Sequence, residues 1–112
     1  MTIPTGSGTE VLKRYIKEGQ DDTESTAITG VANHIYTILS IIATNQDSSN
    51  SHVFYIKVNG LFLTRDGVSI GANQTFVWND KFVLSGTDTL KIDADSSSDF
   101  DVIISYIDQD WS

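Results

Sequence analysis

Ile35-Tyr36-Thr37-Ile38-Leu39-Ser40-Ile41-Ile42-Ala43 decides how this chain folds. β-Branched and aromatic residues dominate the stretch, and such side chains suit a pleated surface better than a helix. It is about half the length that a membrane-spanning helix needs, and it carries hydroxyls. Side chains alternate faces along a strand, which puts Ile35, Leu39 and Ile41 on one side and Tyr36, Ile38 and Ile42 on the other. Both sides are apolar. Val102–Ile107 repeats the pattern, with Val102, Ile104 and Tyr106 opposing Ile103, Ser105 and Ile107. Strands covered on both faces look like this, yet an antiparallel sandwich covers one face of each sheet. The excess predicts that a partner, or an arm of the same chain, lies over the second face.

Outward from these runs, short segments rich in Val, Ile, Thr, Tyr, Phe and Trp are separated by Gly/Asn/Asp/Ser clusters. They predict strands over 10–17, 25–31, 35–45, 52–59, 61–65, 74–79, 81–84, 88–94 and 100–107. Asn59-Gly60 is a two-residue hairpin signal. Gly86 supplies a tight turn before Thr89-Leu90-Lys91-Ile92, and Asp95–Asp99 is a polar turn. Only Thr9–Glu18 admits a helical reading, through Val11, Leu12, Tyr15 and Ile16. Its β-branched and aromatic residues favour a strand instead. The expectation is an all-β fold, an antiparallel β-sandwich of jelly-roll-like form. One domain spans 9–112 and follows a flexible N-terminal arm, 1–8, in which Ile3 and Pro4 are candidate partner contacts.

Composition narrows the function. The 112 residues carry 15 Asp+Glu against 7 Lys+Arg, a formal charge of −8, and this repels phosphate backbones. No nucleic acid is expected as a partner. No apolar run reaches the roughly 18 residues of a membrane span, so no membrane partner is expected either. Met1–Gly8 has neither a basic nor an apolar signal-peptide region. There is no cysteine, which removes disulfides, thiolate metal sites and cysteine nucleophiles.

Motifs for chemistry fail on context. Gly67-Val68-Ser69-Ile70-Gly71 matches the G-x-S-x-G elbow of serine hydrolases, but that elbow needs a following helix and a later histidine. Here His34 and His52 both precede Ser69, and the next run reads as a strand. The motif is read as a glycine-flanked loop. Asp93-Ala94-Asp95-Ser96-Ser97-Ser98-Asp99-Phe100-Asp101 has oxygen ligands for a calcium ion, but an EF-hand register starting at Asp93 puts Ser98 and Ile104 where glycine and glutamate belong. It is read as a solvated turn. Each histidine stands without a carboxylate at ligand spacing. No catalytic residue, metal site or cofactor is expected, and the chain is not read as an enzyme. Phe76, Trp78, Phe82, Phe100 and Tyr106 are core candidates. Trp111, on the polar end Asp108-Gln109-Asp110, either folds back or anchors in a neighbour, and is the third candidate partner contact.

Asn73–Leu84, Ser85-Gly86-Thr87-Asp88-Thr89-Leu90-Lys91-Ile92 and Val102–Trp111, with Gly6–Leu12 and Asn33-His34-Ile35-Tyr36-Thr37, form a pattern over most of residues 6–111. It resembles small all-β virion proteins of tailed bacteriophages. The resemblance implies a structural virion protein, assembled in the host cytoplasm, of capsid decoration (cement) type. It would bind the major capsid protein or another virion protein and associate with itself as a homotrimer. Tail, baseplate and fibre-associated sandwiches look similar, and a carbohydrate-binding module is a further alternative.

Overall fold

The computed structural model describes residues 9–112. The arm, with Ile3 and Pro4, lies outside the described residues. Ten strands and no helix form among those described: β1 (Thr9–Gln20), β2 (Ser25–Thr29), β3 (His34–Asn45), β4 (His52–Val58), β5 (Leu61–Phe62), β6 (Val68–Ile70), β7 (Thr75–Trp78), β8 (Phe82–Ser85), β9 (Thr89–Ala94) and β10 (Phe100–Asp110). One sheet runs β1-β10-β3, with β7 and β8 pairing successive halves of β3's far side. The other runs β2-β9-β4, with β5 and β6 sharing β4's far side. Every pairing is antiparallel. If β5/β6 and β7/β8 are each counted as one interrupted strand, each sheet holds four strands in jelly-roll order, and only the step from β4 to β5 stays within one sheet. The fold is the all-β sandwich that the turn punctuation predicts.

The core lies between the sheets. Phe54, Ile56, Leu90 and Ile92 from one meet Ile38, Ile41, Leu84, Phe100, Val102 and Ile104 from the other, all fully buried. The Phe54 and Phe100 rings pack tilted at 5.4 Å between centroids. Phe76, Trp78, Phe82 and Tyr106 line the core's margin, partly buried.

Three expectations are corrected. The segment 66–73 is not all loop, because Val68–Ile70 pairs with His52–Phe54. The strand predicted over 61–65 shortens to Leu61–Phe62, and Thr64 turns its hydroxyl in to accept from the Ile56 N–H. The simple face assignment in β3 also fails. Tyr36 and Ile38 are buried, but so are Ile41 and Ala43. The register against β10 slips there: Ser105 faces Ser40, whereas Tyr106 faces Ile38. Leu39 is the extra residue of a β-bulge, and the bulge shifts the inward parity from even to odd numbers. β10 has no such shift, and Val102 and Ile104 point in while Ile103 points out.

The Asn59-Gly60 signal is realised as a tight hairpin. Val58 pairs with Leu61, and both loop residues take positive φ, 51° and 81°.

Candidate functional site

Directly opposed residues of an antiparallel ladder share a face, so the register writes out the surface that the β1-β10-β3 sheet turns away from the core. Leu12 faces Ile107, which faces Thr37, which faces Val83. Two residues along, Arg14, Ser105 and Ser40 form a polar row. Two further, Ile16, Ile103, Ile42 and Val77 form a second apolar row across four strands. Leu12 is 72% exposed and Ile16 55%, and Val83, Val77 and Ile103 are exposed as well. Beside the bulge, Leu12, Lys13, Arg14, Leu39, Ser40 and Ser105 line an open depression of about 500 Å³. A smaller one, lined by Ile16, Lys17, Glu18, Asp101, Val102 and Ile103, continues along the β1–β10 seam.

Four strands at about 4.8 Å spacing and roughly ten residues at 3.4 Å rise make a face on the order of 600 Å². That area, with the polar row between the two apolar ones included, is of the order of one side of a standard protein–protein interface. The two-sided apolar pattern of β3 and β10 thus becomes a physical surface that the chain itself leaves open over its described residues.

Two histidine clusters hold the loops at opposite ends of β3. His52 sits between carboxylates, its Nε2 2.8 Å from Asp47 Oδ2 and its Nδ1 2.9 Å from Asp95 Oδ1. With an acceptor at each nitrogen both must donate, which is the imidazolium form. The hydrogen bond to Asp47, joined by that to Asp95, raises the pKa of His52 against the opposing effect of burial. Asp47 is held well below the usual carboxylate range, first by the Ser49 N–H and then by His52 and Asn50. At the other end His34 Nδ1 lies 2.7 Å from Asp108 Oδ1, and Lys13 Nζ 2.8 Å from Asp108 Oδ2. Burial works to raise Asp108, but the hydrogen bonds from Lys13 and His34 outweigh it and the net shift is downward. Sequence spacing hid these partners, which lie 43 and 74 residues away for Asp95 and Asp108.

The remaining sequence candidates fall apart in space. Ser69 is exposed on β6 opposite Val53, and both nitrogens of His52 are committed to carboxylates. Gly67 is needed for its backbone: its φ is 77°, and a Cβ there would lie 2.1 Å from Val53 Cγ1. The aspartates of 93–101 disperse. Asp95 takes His52, Asp101 accepts from the Gly19 N–H and Asp93 lies 3.7 Å from Lys57. No cluster of three or more His, Cys, Asp or Glu suited to a metal forms among the described residues. Trp111 is half-buried, its backbone N–H donates to Asn33 O, and its indole N–H is buried without an acceptor. That part of the ring faces its own domain.

No protein-family model and no curated protein matches the chain. Among solved structures, a chain of the Bacillus endospore appendages, a family of disulfide-linked pili, aligns over 100% of this chain and 97% of its own, at 14% identity and a TM-score of 0.49. Dimeric latent PorU from Porphyromonas gingivalis aligns over 93% of this chain but 13% of its own length, at 15% identity and a TM-score of 0.45. At these values neither likeness carries a functional argument.

Proposed function

We propose that this chain is a structural protein that works by protein–protein contact, with the outer face of the β1-β10-β3 sheet as its attachment surface. The observation that carries the reading is the pair of apolar rows on that face, Leu12-Ile107-Thr37-Val83 and Ile16-Ile103-Ile42-Val77. A jelly roll whose core is already complete gains nothing in its own folding from a second apolar face. Such a face is maintained where something else covers it. The resemblance to small virion proteins of tailed phages supplies the finer proposal, a decoration protein bound to a capsid lattice, with a tail or fibre position as the alternative.

The test is the copy number of this chain relative to the major capsid protein in purified particles. Copies comparable with the capsid protein support decoration, and far fewer support the tail. Absence from particles overturns the virion reading. The carbohydrate alternative draws little from the surface. The most exposed aromatic, Phe62, meets Tyr55 edge-on, and Lys57 Nζ sits 4.7 Å over its ring, where a sugar would have to stack.

A further inference from the structure

The edge of the same sheet carries a more specific message. β1 is an outermost strand among the described residues, bonded to β10 on one side, with no described strand on the other side of its backbone. An open edge is a template for another strand. From Thr9 to Arg14 every residue of β1 is exposed, so Val11 and Leu12, on opposite faces, both meet solvent. Three of the chain's seven basic residues, Lys13, Arg14 and Lys17, sit on this one strand with Glu10 and Glu18. β1 thus mixes both signs along one edge in a chain of net charge −8, with Lys13 already paired to Asp108 and Arg14 and Glu10 on the outer face.

We infer that β1 pairs antiparallel with β1 of a second copy, about a twofold axis at Leu12. This rests on the structural reading above and deepens it, because it names the partner of one edge. A twofold axis normal to the sheet joins two edges while keeping outer face with outer face. With the axis at Leu12, the most exposed large apolar side chain of the described residues meets its own copy. Glu10 then faces Arg14 of the second copy, and Arg14 faces its Glu10. Val11 faces Lys13, and no like charges oppose.

Neighbouring registers fail on the same residues. An axis at Lys13 or Arg14 sets that cation against itself. An axis at Tyr15 opposes Lys13 to Lys17. An axis at Val11 forms no charge pair. An axis at Ile16 sets Arg14 against Glu18 but runs through the irregularity between Lys17 and Gln20, where Gly19 has φ 72°. The Leu12 register uses Thr9 to Tyr15, clear of that irregularity. It also joins the two outer faces into one apolar surface twice as wide. The resemblance to decoration proteins implies a trimer, and the twofold register excludes one built through this edge.

Sedimentation equilibrium of the full chain, with charge-reversed and cysteine variants, tests the pairing. The wild type should be dimeric at high micromolar concentration. Glu10→Arg and Arg14→Glu should each weaken the dimer by about tenfold, since both symmetric pairs turn repulsive. The double variant should restore it. The chain has no cysteine, so Leu12→Cys gives a clean probe. Opposed Cβ atoms about 5 Å apart are near disulfide reach, and oxidation should link this variant far faster than Val83→Cys, which lies on the opposite edge. All of these side chains are exposed, and circular dichroism should be unchanged in every variant. A monomeric or trimeric wild type, single variants with wild-type affinity, or equal cross-linking of the two cysteine variants would each overturn the pairing. A monomer that still enters particles would sink the pairing and leave the structural role. A dimer absent from every particle would do the reverse.

Discussion

His52 shows how much a single side chain can hold. It ties the β3–β4 loop through Asp47 to the β9–β10 loop through Asp95. Its pKa is raised in the folded chain, so its stabilisation is fully present below the ordinary histidine value of about 6.5. That stabilisation is lost as pH rises through the raised value. Asp47, lowered instead, stabilises above the ordinary carboxylate value of about 3.9 and loses its contribution as the solution becomes more acid. The melting temperature should therefore fall as pH rises from the ordinary histidine value through the raised one. His52→Gln should flatten that limb and cost about 1 kcal/mol at neutral pH. A wild-type melting curve that is level across the range would rule out the clamp as a source of stability. Gly30 is constrained by space alone. A Cβ there would lie 2.3 Å from Gly86 O and 2.6 Å from Asp88 O, both backbone atoms that cannot rotate away. Gly30→Ala should cost about 1–3 kcal/mol in chemical denaturation. A neutral effect would mean that the β2–β3 and β8–β9 turns separate easily.

At the scale of the element, the Leu39 bulge is the feature on which β3 depends. It lets Tyr36 and Ile38 share an inner face with Ile41 and Ala43. Deleting Ser40 brings Ile38 and Ile41 two residues apart and lets Leu39 take the place opposite Ser105, so strict alternation keeps Tyr36, Ile38, Ile41 and Ala43 on the inner face. The deletion should therefore still unfold cooperatively, and Ser40→Ala should change stability by less than about 0.5 kcal/mol. If the deletion abolished cooperative unfolding, the extra residue would be needed for the bend and twist of β3 and not for its parity alone.

For the whole molecule, two surfaces of the same sheet separate cleanly. On the inside, Phe100→Ala should cost about 3–5 kcal/mol, because Phe100 is fully buried against Phe54. On the outside, Val77→Thr with Ile103→Thr should leave the melting temperature almost unchanged and reduce assembly or particle incorporation. A large loss of stability from the outer pair would show that this face serves folding rather than contact. The first and last strands of the described chain pair along their length, Thr9 with Asp110 and Lys17 with Val102. Contacts so distant in sequence delay folding, and refolding followed by stopped-flow fluorescence should take milliseconds to seconds. Microsecond refolding would contradict the topology.

By itself, the sequence determined the all-β class, the approximate strand positions, the Asn59-Gly60 hairpin, and the two-sided apolar character of Ile35–Ala43 and Val102–Ile107. These follow from local chemistry: β-branched and aromatic runs, Gly and Asn at positive φ, and a period of two. β6 was hidden because Val68-Ser69-Ile70 is three residues between glycines and gains strand geometry only from His52–Phe54. The parity of β3 was hidden because a bulge is a relation between two strands, visible only once Ser40 faces Ser105. Both histidine clusters joined residues that no spacing rule connects. The sequence could state that β3 and β10 had apolar side chains to spare. Only the tertiary structure decided where the surplus lies, because only the register of four strands lines Leu12 up with Ile107 and Ile16 with Ile103, Ile42 and Val77.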